Sequence, residues 1–193
     1  MKALRFSAAF ILLAIAVLTS SPVKASTVLQ MNLAQMLDRS EKVFVGTVID
    51  VTESRIAVGG GEIPAITYTF RVGDTFKGSY QEVKGVKTTT VSMLGSLQHL
   101  KTGKHPILDF PLLQANQDYL LIVGPAGPIG LTAPIGLGQG NFSLLGDEGE
   151  KVALNGAQNV GLFSGMNVGI PDGVPVSYTE LSALISDIVG GAE

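Results

Sequence analysis

The sequence contains no cysteine and no tryptophan, and only two of its 193 residues are histidines. Without thiols the chain has no disulfide, no thiolate nucleophile and no thiolate metal ligand, so the fold depends on packing alone. Basic residues are also few, because 13 Lys and Arg face 16 Asp and Glu and form no cluster. Nucleic acids bind grouped lysines and arginines, so the composition predicts no nucleic-acid partner.

An uncharged apolar run occupies residues 6–18, behind Lys2 and Arg5. Val23 and Ala25 stand at the two positions that a signal peptidase reads, which predicts a signal peptide over residues 1–25. The run is shorter than the roughly 20 residues of a membrane-spanning helix, so we expect no stable membrane anchor after cleavage. The protein is therefore expected to be exported, either to the periplasm or to the extracellular space.

The remaining residues, 26–193, are expected to form a single domain. Cleavage removes Lys2, Arg5 and Lys24, which leaves 10 basic against 16 acidic residues and a formal net charge of −6. A short helix is predicted at the start, where Asn32 can cap and Gln35 can bond back to it, and it should end near Ser40.

Alternation with a period of two predicts strands from Lys42 to about residue 51, over residues 65–76 and over residues 86–93. Gly46 interrupts the first strand, where a glycine often marks a bulge or a close backbone approach. Three consecutive glycines, residues 59–61, predict a hairpin loop. The second strand places these apolar residues on one face: Ile66, Tyr68, Phe70, Val72 and Phe76.

A fully apolar strand, residues 119–123, is predicted at the centre of the sheet, and residues 139–145 should pair with residues 151–154. Long loops are predicted over residues 94–117 and 124–140. Ser177 begins a C-terminal helix with apolar residues at three- and four-residue steps. These elements predict a mainly β domain, an antiparallel barrel of five or six strands with a short N-terminal helix and a C-terminal helix.

Two segments resemble a known family. The segments SEKVFVGTV at residues 40–48 and TYTFRVGDTFKG at residues 67–78 are similar to the first strands of the OB-type barrel in netrin modules and tissue inhibitors of metalloproteinases. Residues 119–123 and 138–142 resemble the closing strands of uncharacterised exported bacterial proteins with the same layout. The resemblance implies an OB-like barrel used as a binding platform. The inhibitors place an N-terminal cysteine on the metal of the enzyme, and this chain has no cysteine for that mechanism.

The two histidines, His99 and His105, lie six residues apart in the first long loop, near Asp109. A metal site would need Asp109 or a distant carboxylate as a third ligand, and the spacing is not that of a helical metal pair. No Gly-x-Ser-x-Gly motif is present. A hydrolase or metal-dependent enzyme that uses His99 and His105 is the alternative function that the sequence leaves open.

The favoured prediction is a non-enzymatic exported binding module that contacts an exported protein through its two long loops. These loops are rich in apolar residues, which would form a contact surface where they are exposed. No catalytic residue, metal ligand or cofactor-binding residue is assigned. The predicted partner-contact residues are Leu131, Ile135, Leu137, Ile107 and Phe110.

Overall fold

The computed structural model describes residues 29–107, 110–147 and 149–191. The predicted signal peptide lies outside these residues. The elements, in chain order, are α1 (Leu33–Arg39), β1 (Lys42–Val58), β2 (Gly61–Lys77), β3 (Gln81–Val83), β4 (Val86–Leu94), α2 (Leu97–Thr102), β5 (Asp118–Val123), a 3-10 turn (Leu137–Gly140), β6 (Asn141–Leu145), β7 (Val152–Asn155), β8 (Val176–Ser177) and α3 (Tyr178–Gly190). No helix in this part of the chain is both long and apolar enough to cross a membrane.

The N-terminal helix forms as predicted, and the capping box explains where it begins. The Asn32 side chain accepts a hydrogen bond from the Gln35 N–H at 2.9 Å, and the Gln35 side chain accepts one from the Asn32 N–H at 3.0 Å. Both bonds satisfy donors that a helix end leaves free. Leu33, Met36 and Leu37 are buried on one face, which attaches α1 to the sheet.

The strands form one open antiparallel sheet in the order β3-β4-β2-β1-β5-β6-β7-β8. The mainly β prediction is confirmed, but the closed barrel of five or six strands is wrong. The sheet continues past β5 through β6, β7 and β8, so β5 has strands on both sides and its far neighbour is not β4. The central position predicted for residues 119–123 and the pairing of β6 with β7 are both confirmed.

Two hydrophobic cores lie against opposite faces of the sheet. Alternate residues of β5 enter each core: Leu120 and Ile122 join the one beneath α1 and α3, and Leu121 and Val123 join the other. The second core is formed by residues of β1, β2, β4 and β5, with Leu113 from the first long loop buried in it. A strand buried on both faces reads as a continuous apolar run, which is why residues 119–123 show no alternation.

Gly46 lies at a close backbone approach between β1 and β2, one of the features that the sequence predicts there. The pairing with β2 shifts on both sides of this region, and a Cβ on Gly46 would lie 2.9 Å from the Arg71 carbonyl oxygen. The shifts reverse the side-chain alternation in the last part of β2. Phe76 therefore packs with the helix-covered core, whereas Phe70 and Val72 enter the other core. The prediction that Phe76 shares the face of Ile66 is wrong for this reason.

Candidate functional site

The second long loop is fixed to the end of the sheet by hydrogen bonds. The Thr132 N–H donates to the Ser92 carbonyl of β4 at 2.7 Å, and the Ile135 N–H donates to the Ile122 carbonyl of β5 at 2.8 Å. Pro134 also forms a bridge with Val123. Residues 132–135 thus connect β4 to β5 without forming a strand of the sheet. The loop has a fixed position although six of its residues are glycines.

The first long loop contains a short helix that the sequence analysis did not predict. α2 follows β4 almost directly, and the Glu53 carboxylate of β1 accepts a hydrogen bond from the Leu97 N–H at 2.7 Å. His99 Nδ1 accepts one from the Ser96 N–H at 3.2 Å. Gly103 ends the helix in the left-handed conformation. Because α2 begins near Ser92, both long loops lie at the same end of β4.

The structure places the rings of His99 and His105 in contact, as a site formed by both histidines would require. Their ring centres lie 4.8 Å apart at an edge-to-face angle, and the His105 ring stacks on Phe110 with centres 4.1 Å apart. The pKa of His105 lies below its ordinary value. Burial is the main cause, the positive charge of His99 adds to it, and hydrogen bonding with the Ile107 and Leu94 backbone opposes it in part.

Ring nitrogens of this pair already serve structural hydrogen bonds. Nδ1 of His105 accepts the Ile107 N–H at 3.1 Å, as Nδ1 of His99 accepts that of Ser96. A metal ion needs an unshared nitrogen lone pair, and in a neutral ring whose Nδ1 accepts a hydrogen bond the Nε2 atom carries the proton. Among the described residues no group of three His, Asp or Glu side chains could hold a metal, and Asp109 lies outside them. The histidine pair therefore packs the loop.

The five predicted partner-contact residues do not share one environment. Ile135 packs against the helix-covered core and Phe110 against the other core. Leu131 and Leu137 are half-buried, and Ile107 is 42% exposed. Two apolar residues of the same loops that the prediction did not select are also exposed. They are Leu97 at 38% and Ile129 at 42%.

A polar cavity of about 260 Å³, between β1, β3 and β4, was not found from the sequence. The Lys42 ammonium reaches into it and donates to Thr89 Oγ1 at 3.2 Å. The other lining residues are Ser79, Tyr80, Gln81, Thr88 and Thr90. Three separate segments contribute these side chains, so no local motif could reveal the cavity.

The chain matches no family model, and no curated protein matches it.

Proposed function

We propose that this protein is an exported, non-enzymatic binding module that holds a protein partner through its two long loops. The observation that supports the proposal is the placement of Leu97, Ile107 and Ile129. Each of these residues is between 38% and 42% exposed, although all belong to loops that the sheet holds in place. Fixed apolar side chains at one end of a rigid sheet suit a protein interface because ordering them costs little entropy.

The similarity to netrin modules and metalloproteinase inhibitors is part of the same proposal. In the proteins that the sequence resembles, the strands serve as a platform and the loops provide the specificity. Strands β1, β2, β4 and β5 share one core, and residues 132–135 join β4 to β5, which suits that use. The proposed location, periplasmic or extracellular, depends on the signal peptide over residues 1–25.

Affinity capture from the exported fractions of the source cell tests the proposal. Ile107→Asp and Ile129→Asp should each abolish capture of the partner while thermal unfolding stays unchanged, because both side chains are exposed. Leu145→Asp is the matched control, since Leu145 is 49% exposed on β6 and belongs to neither loop. Capture that survives both loop substitutions, or that the control removes equally, contradicts the proposed surface. Ile135→Asp is unsuitable, because Ile135 packs on the core.

The contact between the two histidine rings favours a second candidate, a hydrolase or metal-dependent enzyme. Its test is the double substitution His99→Ala, His105→Ala, with the metal content of the unsubstituted protein measured on the same preparation. Hydrolysis of an ester or peptide substrate that the double variant loses would support the enzyme. Full activity in the double variant, or no bound metal and no activity at all, would leave the binding module as the better account.

A further inference from the structure

The outer edge of β1 is uncovered over its second half. β1 runs for 17 residues, yet β5 pairs with it only from Lys42 to Thr47. The Val48 backbone is bonded by Gln117 and Asn116 of the first long loop. Beyond Val48, none of the described residues outside the β1–β2 hairpin bonds the backbone of residues 49–58. Half of this long strand is therefore a free sheet edge.

The pairing geometry shows which backbone groups face that edge. The Pro64 carbonyl accepts a hydrogen bond from the Gly95 N–H at 3.1 Å, so the Pro64 backbone points away from β1. Arg55 is the residue opposite Pro64. In an antiparallel pair, the backbone groups of two opposite residues either both point towards each other or both point away. The N–H and C=O of Arg55 therefore point outward, and alternation adds those of Val51, Glu53 and Ala57.

This edge lacks short length, lysine and proline, three of the features by which proteins prevent unwanted strand pairing. β3 is three residues long and lies beside Lys84 and Lys87, and β8 has only two residues. Residues 49–58 include neither lysine nor proline. An edge of this length without lysine or proline suits a strand that receives a partner strand.

We propose that β1 pairs antiparallel with β1 of a second copy of this chain, around a two-fold axis at Ser54. In this register Glu53 lies opposite Arg55 of the second copy, and the symmetry forms that pair twice. Opposite charges directly across two strands are stabilising, and like charges are destabilising. Only an axis at Ser54 places Glu53 opposite Arg55, whereas centring it on Glu53 or on Arg55 would place identical charges opposite each other.

The backbone and the side chains agree on this register. Glu53 and Arg55 both direct their backbone groups outward, so opposite each other they form a hydrogen-bonded pair, and Val51 with Ala57 forms the next. The Arg55 guanidinium lies 3.9 Å from Glu62, with both side chains about 60% exposed, so it is free to move to a closer carboxylate. One carboxylate oxygen of Glu53 accepts a hydrogen bond from the Leu97 N–H, and the other can pair with Arg55 of the second copy.

A single introduced cysteine tests the axis, because the chain has no cysteine of its own. At the axis, Ser54 faces Ser54 of the second copy in a pair without backbone hydrogen bonds, with Cα atoms about 4.5 Å apart. That distance permits a disulfide. Oxidation of the Ser54→Cys variant should give a covalent dimer. The Thr52→Cys variant is the control, since its two cysteines would lie four residues apart along the strands, about 13 Å, and should not form a disulfide.

Charge reversal tests the register by sedimentation equilibrium. Arg55→Glu should raise the dimer dissociation constant about tenfold, because both symmetric pairs become repulsive. The exchange Glu53→Arg, Arg55→Glu should return the constant towards that of the unsubstituted protein. A monomer at every concentration, equal disulfide formation in the two cysteine variants, or a dimer that Arg55→Glu does not weaken would each overturn the proposal. Thermal unfolding shows whether each variant is folded.

Discussion

Thr132 and Ser92 are joined by two reciprocal hydrogen bonds across the boundary between loop and sheet. The Thr132 N–H donates to the Ser92 carbonyl at 2.7 Å, and the Ser92 N–H donates to Thr132 Oγ1 at 2.9 Å. Ser92 Oγ is in turn 2.8 Å from Thr67 Oγ1 of β2. The glycine-rich loop is thereby held on β4, and the exposed Ile129 is positioned by the same attachment.

Thr132→Val should reduce the free energy of unfolding by about 1–2 kcal/mol, because it leaves the Ser92 N–H without its acceptor in a half-buried place. Chemical denaturation measures this change. Thr90→Val on the same strand is the control, since Thr90 is exposed and should change stability by less than about 0.5 kcal/mol. An equal loss in both variants would show that the Thr132 hydroxyl does not hold the loop.

Gly140 occupies a place where no side chain fits. A Cβ there would lie 2.6 Å from the Ile135 carbonyl oxygen and 2.9 Å from both the Ile135 nitrogen and the Ile122 carbonyl oxygen. These atoms surround the hydrogen bond that ties the loop to β5. Gly140→Ala should therefore destabilise the protein by about 1–3 kcal/mol, as overpacking of a close-packed interior does.

Gly169→Ala is the matched control for Gly140→Ala. Gly169 has no atom within 4 Å of an added Cβ, and the same glycine-to-alanine change there should be neutral or slightly stabilising. Thermal unfolding of the two variants compares them directly. Similar midpoints would contradict the close approach at Gly140.

Sequence patterns predicted those parts of the fold that neighbouring residues determine. The capping box at Asn32 and the alternation in β2 up to Val72 are local signals, and both correspond to the structure. The open sheet could not be predicted, because the choice between closing β5 onto β4 and adding β6, β7 and β8 depends on long-range pairing. Phe76 was misplaced because a bulge shifts the alternation by one residue without a distinctive sequence.

In the candidate site, too, the residue types could be selected from the sequence, but their long-range contacts could not be predicted. His99 and His105 could be selected by residue type, but their contact depends on α2, which brings the loop back on itself. The polar cavity at Lys42 and the attachment of Thr132 to Ser92 join residues that are 47 and 40 positions apart. No window of sequence contains both partners, so neither could be inferred.

Asn159 organises the irregular segment between β7 and β8. It is fully buried, and its side-chain amide donates to the Ala153 carbonyl at 3.0 Å and to the Val174 carbonyl at 2.8 Å. Its side-chain oxygen accepts the Asn155 N–H at 2.9 Å. Asn159→Ala should cost about 3 kcal/mol or more, since several buried polar groups lose their partners at once.

Asn167→Ala provides the comparison for that substitution, because Asn167 is exposed in the same segment. It should leave the denaturation midpoint close to that of the unsubstituted protein. If the two asparagine variants are equally stable, the segment is held by its apolar contacts rather than by Asn159.

His105 should make stability depend on pH between about 7 and 5. Its pKa in the folded protein lies below the ordinary value of 6.5, chiefly because of burial and then because of the charge on His99. The unfolded chain therefore binds the proton more readily, so this contribution is fully present above about pH 6.5 and is lost as the pH falls through the lower folded pKa. Asp118, whose pKa is lowered by hydrogen bonds from Lys151 and Thr47, is affected only at more acidic pH.

Denaturation curves at several pH values measure this dependence in the unsubstituted protein and in His105→Phe, which can keep the stacking on Phe110 but cannot bind a proton. The unsubstituted protein should lose stability as the pH is lowered from 7 to 5, and His105→Phe should lose less over the same interval. Gln98→Ala, an exposed change on α2, should keep the original slope. Identical slopes in the unsubstituted protein and His105→Phe would show that the pKa of His105 is the same in the folded and unfolded states and is not changed by burial.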